Sequence, residues 1–190
     1  MKKKRNPPRS PFFEGGLDET DETDHPDETD ESMGLISDIF GIGKDSGSLL
    51  RDLAAIRKKT RGDRNRLLSE IEFNAALILE HCLKMGADEA KVIARLKLEN
   101  LTRLIDEGFD FSTVRKGTVH ETMVKDVPVL RHYAGIDLEG FLKRIRFHLD
   151  QLKLLPDLYD IKKTDKVNVH VRLENLGRRY VLLIRFLKEP

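Results

Sequence analysis

The sequence predicts an all-α fold, a bundle of about five helices behind a disordered acidic N-terminal tail, and three observations carry that reading. Apolar residues recur at spacings of three and four through most of residues 46–188. Ser, Asp and Gly stand where these stripes begin and end, as caps do. Residues 18–32 repeat an Asp-Glu-Thr triplet with small departures, and such a run has nothing to bury and repels itself.

Residues 1–33 hold five basic groups against ten acids, net −5, so the rest of a chain of net charge +1 carries +6. The expected domains are therefore a disordered acidic tail at 1–33, a short amphipathic segment at 34–45 and a helical domain at 46–190. The tail reads as an inert solvated arm or as an arm that mimics phosphate and shields the basic body. A third reading starts the natural chain at Met33, where Gly34-Leu35-Ile36-Ser37-Asp38-Ile39-Phe40 begins abruptly. An intact mass of the natural protein that includes residue 1 excludes it.

Leu35, Ile36, Ile39 and Phe40 form an apolar stripe that either docks a partner or packs onto its own domain. Ser46 or Ser48 is placed to cap a helix running to about Lys59, with Leu49, Leu50, Leu53 and Ile56 on one face. Asp63 then caps a long helix over 63–85, apolar all round between Ala75 and Leu79 and so expected at the centre, with Gly86 closing it. Asp88 opens the next, over 88–107, on a stripe of Ala90, Ala94, Leu98, Leu101 and Ile105 that ends at Gly108.

Residues 109–135 suggest a long connection with one or two helical turns. Asp137 caps the plainest helix, over 137–155, on Leu138, Phe141, Leu142, Ile145, Leu149 and Leu152, with Pro156 as its stop. The last segment is double-natured. Val167, Val169, Val171 and Leu173 alternate like a strand, whereas Leu173, Leu176, Tyr180, Leu183 and Leu187 make one helical stripe. The helix over 167–188 is preferred, because a hairpin at 166–188, which would make the fold α+β, has no other strand to pair with.

The single cysteine, Cys82, rules out an internal disulfide framework and suits a reducing, cytoplasmic setting. No apolar run approaches the roughly 18–20 residues that cross a bilayer. Gly41-Ile42-Gly43-Lys44-Asp45-Ser46 resembles the end of a phosphate-binding loop, but Asp45 follows the lysine and no strand precedes it. The six histidines show no ligand spacing, and His81 and Cys82 point about 100° apart on a helix. Neither a metal nor a cofactor is expected.

Arg115 and His120 have the spacing of the arginine–histidine pair in metal-independent ribonucleases built on helical bundles, where one stabilises charge and the other moves a proton. They are the candidate catalytic residues, set against a plain solvated connection. Arg57, Lys58, Lys59 and Arg61, with Arg64 and Arg66, form one basic cluster, and Lys143, Arg144 and Arg146 form another, joined by Arg178 and Arg179. Converging, these faces would contact phosphates; otherwise they are solvated helix faces whose stems cover apolar edges.

Glu70-x-x-x-Asn74, Gly86-Ala87-Asp88-Glu89, Gly108-Phe109-Asp110-Phe111, Tyr133-x-Gly135-x-Asp137 and Arg172-Leu173-Glu174-Asn175 occur together. On these motifs residues 48–188 resemble a group of small bacterial helical-bundle proteins. The resemblance implies a helix at 167–188 and nothing about chemistry. The expected function is a non-catalytic interaction or regulatory protein whose partner is a protein, this chain or another. The alternative is a nucleic-acid-binding protein or ribonuclease that uses the basic faces.

Overall fold

The computed structural model describes residues 42–159 and 168–189. The tail at 1–33 and the stripe of Leu35, Ile36, Ile39 and Phe40 lie outside the described residues. Within them the fold is all-α, and the hairpin is replaced by a helix; the one β-type pairing is an isolated bridge between Thr118 and Asp137.

Helix α1 spans Ile42–Lys58. It begins ahead of Ser46 and Ser48, so neither is the expected cap. Ser46 is instead fully buried and its hydroxyl donates to the carboxylate of Glu80, a tertiary partner that outweighs the local capping option. Helix α2, Gly62–Ala76, starts from Arg61 at the cap position; Asp63 sits in the first turn, where its carboxylate accepts from Arg103 at 2.6 Å. The helix then widens into a π-helical segment, Leu77–Lys84, and ends at Gly86, which takes the left-handed φ of 67° expected of it.

The expected helix over 88–107 is two helices, α3 (Glu89–Arg95) and α4 (Glu99–Asp106). Two buried side chains one turn apart on α2 impose the break. Asn74 accepts from the Lys97 amide at 2.9 Å and donates to the Lys97 carbonyl at 2.7 Å. Glu70 accepts from the Asn100 and Leu101 amides at 2.8 and 3.0 Å, neutralising the start of α4. The register shifts accordingly. Val92, Ile93, Leu96 and Leu104 are buried with Leu98 and Leu101, while Ala94 is exposed. Asp88 does cap α3, accepting from the Lys91 amide at 3.0 Å.

The connection at 109–135 holds three 3₁₀ turns, Phe111–Thr113, Glu121–Met123 and Pro128–Tyr133. It is not a solvated strap, for Phe111, Val119, Val124, Leu130 and Tyr133 are all buried. Asp137 then caps helix α5, Leu138–Leu158, accepting from the Gly140 amide at 2.8 Å. Pro156 lies inside α5 and does not stop it at 155. The helix has less than a turn left to run, and Tyr159 re-forms the ladder to Leu155 at 2.9 Å.

Helix α6, Val169–Lys188, is capped by Asn168, which accepts from the Val171 amide at 2.9 Å. Its residues Val181, Leu182, Leu183 and Ile184 are consecutive and have no exposed surface. The C-terminal helix, more than α2, is thus the centre of the bundle, with α1, α2 and α5 packed around it. Gly177 makes this possible. A Cβ there would meet Leu83, Leu79 and Ile78 at 3.0–3.3 Å, so α6 lies directly on the π-helical segment.

Candidate functional site

The basic clusters separate into neutralised and unneutralised cations. Arg57 donates to Glu72 at 2.7 Å, and Lys58, Lys59, Arg61 and Arg64 project into solvent. Lys143 pairs with Glu139 at 2.7 Å and Arg146 with Asp106 at 2.8 Å. Arg178 is buried and held by Glu174 at 2.6 Å and Asn175 at 2.8 Å. Arg57, Lys143, Arg146 and Arg178 are thus ion-paired, and the four solvent-facing cations are not.

Arg144 and Arg179 behave differently. The turn Pro128–Tyr133 buries Tyr133 against Phe141, ring centroids 4.5 Å apart. Arg179 reaches across from α6 and donates from Nε to the Tyr133 hydroxyl at 3.0 Å. From α5, Arg144 lies 5.3 Å from the same ring and donates to the His132 carbonyl at 2.8 Å. Tyr133 thereby aligns two guanidinium groups from two helices without cancelling either charge.

Beside them runs a cleft of about 300 Å³ between α5 and α6. Phe147, His148, Gln151 and Leu152 form one wall, and Arg172, Asn175 and Arg179, at i, i+3 and i+7, form the other. Arg172 is exposed, and none of Arg144, Arg172 and Arg179 has a carboxylate partner among the described residues. Phe147 is 59 % exposed, with the His148 ring edge-on at 5.6 Å, and leaves an aromatic face open at the cleft. The sequence shows this exposed aromatic within a basic run, but it drew no notice there because it falls off the apolar stripe of α5.

Electrostatics mark the same place. Burial and the charges of Arg179, of His132 when protonated, and of Arg172 and Arg144 push the His148 imidazole down to about 4. Burial, then Arg144 and Arg179, also lowers His132. Both rings are therefore neutral at pH 7. The cleft offers fixed positive charge from arginine, with neutral imidazoles as adaptable donors or acceptors. Its strongest donors are guanidinium forks, whose geometry suits phosphate or carboxylate oxygens.

Arg115 and His120 are given separate local tasks. Arg115 lies 3.9 Å from the Glu189 carboxylate with its guanidinium 5.2 Å from the Phe186 ring centroid. His120 is exposed and caps the turn Glu121–Met123, its Nδ1 accepting from the Thr122 amide at 3.3 Å. A groove of about 500 Å³ nearby is lined by Thr122, Asp126, Arg185 and Lys188, but by neither Arg115 nor His120. Residues 42–46 of the loop-like Gly41–Ser46 motif are helical. Cys82 is buried, and burial pushes its thiol up to about 11, which makes it inert at neutral pH.

Sequence reasoning missed His132, Tyr133, Phe147, His148, Arg172 and Asn175. The available signal was the i, i+4 pair Arg144 and His148 on one helix and the i, i+7 pair Arg172 and Arg179 on the other. Which faces meet is a tertiary fact.

These features define an all-α bundle with an arginine-lined cleft between α5 and α6. Comparison with protein-family models, curated proteins and solved structures finds no match to this chain. No described helix is long and apolar enough to cross a membrane, and no three His, Cys, Asp or Glu side chains among the described residues gather as a metal site.

Proposed function

We propose that this is a non-catalytic binding protein whose α5–α6 cleft holds the phosphate backbone of a nucleic acid. The observation that carries the reading is Arg172 and Arg179 lining one cleft, with Arg144 beside it, and no carboxylate paired with any of the three among the described residues. Uncompensated arginines held together are unfavourable unless an anion completes the site. Phe147, exposed at the cleft edge, adds a face on which an unpaired base stacks, so the preferred ligand is single-stranded. A reducing, cytoplasmic setting accords with this partner and with the lone thiol.

The test is fluorescence anisotropy with a labelled single-stranded oligonucleotide at several salt concentrations. Affinity should fall steeply with salt, and the slope should flatten in Arg172→Ala with Arg179→Ala. Absence of binding at low salt, with the domain folded, ends the reading.

A second reading, docking of a protein or self-association, is favoured by Leu154, Leu158 and Tyr159 on and after α5, which are 40–66 % exposed. Sedimentation velocity separates it from the first. A mass that drops to monomer in Leu154→Asp with Leu158→Asp supports it, and a wild-type monomer with no captured partner removes it. The rest of α6 is too buried to serve as the self-association surface.

A further inference from the structure

A second groove, about 320 Å³, runs between the π-helical end of α2 and helix α3. Its floor is apolar: Phe73, Ala76, Leu77, Ala87 and Val92. Its rim carries Lys91 and Arg95, with His81 beside them and the Asp88 carboxylate at one end. Phe73 is 38 % exposed and is covered only on one side, where the Lys97 ammonium stands 4.1 Å from its ring.

Two bonds set the direction of α1 against this groove. Ser46 donates to Glu80, and Arg57 donates to Glu72 at 2.7 Å. Helix α1 therefore runs antiparallel to α2, and its first residue, Ile42, lies one turn beyond Glu80, level with Lys84 and the Gly86 turn. Ala87 and Asp88 close the groove at that end, and Met85, 67 % exposed, stands beside it. The first described residue of α1 thus stands level with the end of the groove that Ala87 and Asp88 close. Eight residues, 34–41, reach at most about 28 Å when extended. The run from Ala87 back to Phe73 is about 20 Å at 1.5 Å per residue.

The chemistry of that chain matches. Leu35, Ile36, Ile39 and Phe40 fall on one face at helical spacing, Asp38 lies off it, and nine carboxylates stand upstream within 18–32. An apolar face with acidic groups behind it is the complement of an apolar floor flanked by Lys91 and Arg95, while the Asp88 carboxylate at its end is engaged by the Lys91 amide as the cap of α3.

We infer that residues 35–40 of the same chain dock in the groove between α2 and α3, with Ile39 and Phe40 on the floor and the upstream carboxylates toward Lys91 and Arg95. This contact is independent of the ligand of the α5–α6 cleft. It ties the acidic segment to the bundle on the face of the π-helical segment.

A nitroxide on Ser37→Cys in the full chain tests it, since buried Cys82 does not compete for the label at neutral pH. Methyl resonances of Ala76, Ala87 and Val92 should lose most of their intensity, while those of Val127, at the other end of α6 beside Arg185 and Lys188, keep theirs. Adding Ile39→Asp and Phe40→Asp should restore the first set with the helical dichroism unchanged. Unaltered intensities in the labelled chain overturn the inference. So does broadening that persists when label and isotope are carried on different molecules, which assigns the groove to a second copy.

Discussion

At the corner where α1 gives way to α2, Arg57 is held by Glu72, and Asp63 gathers Arg66 at 3.6 Å and Arg103 at 2.6 Å. At the α5–α6 cleft, Arg179 is held by the Tyr133 hydroxyl and, beside it, Arg144 by the Tyr133 ring and a backbone carbonyl, none of which carries charge, while Arg172 lines the same wall as Arg179. Both regions are rich in arginine. The first pairs Arg57, Arg66 and Arg103 with carboxylates and leaves Lys58, Lys59, Arg61 and Arg64 projecting singly into solvent, whereas the second sets Arg172 and Arg179 along one cleft. A basic cluster therefore acquires meaning from what stands opposite it, and a count of charges does not supply that.

The comparison breaks most decisively if the two regions bind alike. Arg172→Ala with Arg179→Ala should weaken oligonucleotide binding by about 100-fold, since a charge-assisted hydrogen bond is worth roughly 1.5–3 kcal/mol. Lys58→Ala with Arg61→Ala should change it by less than about threefold, as expected of solvated cations. Equal losses in the two double variants, measured by anisotropy at one salt concentration, would collapse the distinction. Phe147→Ala comes next, with about a tenfold loss of affinity from one lost stacking face. Its melting temperature should stay where it was, because the ring is already 59 % exposed.

The pH dependence sharpens the contrast. The unfolded chain takes up a proton at His148 near the ordinary histidine value of 6.5, whereas the folded chain resists until about 4. Stability from this group is thus complete above 6.5 and is lost as pH falls from 6.5 toward 4. Urea titrations across that window should show the decline, and His148→Gln should flatten it. Added phosphate or oligonucleotide should raise the His148 titration midpoint, observed by NMR, because a bound anion offsets the surrounding arginines.

The smallest effect belongs to the neutralised corner. Arg57→Ala should cost about 0.5–1 kcal/mol by denaturant unfolding, the scale of a partly exposed ion pair, and leave binding unchanged. A large fall in oligonucleotide affinity there would place the ligand on the wrong face of the bundle.

Much of the fold was legible. Asp88, Asp137, Gly86 and Gly108 mark helix ends with side chains or backbone conformations that act within one turn, and each does so in the structure. The break at 96–98 was not, because Asn74 and Glu70, more than twenty residues upstream, make the hydrogen bonds that cause it. Leu96 and Leu98 continue an acceptable helical pattern. Ser46 misled for the same reason: its hydroxyl satisfies Glu80 rather than a helix end. The cleft was half visible, since Arg144 and Arg179 were among the flagged cations but Arg172, His148 and Tyr133 were not.

By itself the sequence determined that this chain is mainly helical and that Asp88, Asp137, Gly86 and Gly108 bound helices, and it left helix and hairpin both open at the C-terminal segment. Helix period and capping are local, and their energies are set within a few consecutive residues. Only the tertiary structure decided which cations are paired and which are free, that α6 is the centre, and that a tyrosine from the connection joins α5 to α6. Those outcomes depend on residues such as Tyr133 and Arg179, 46 positions apart, whose encounter no local pattern encodes.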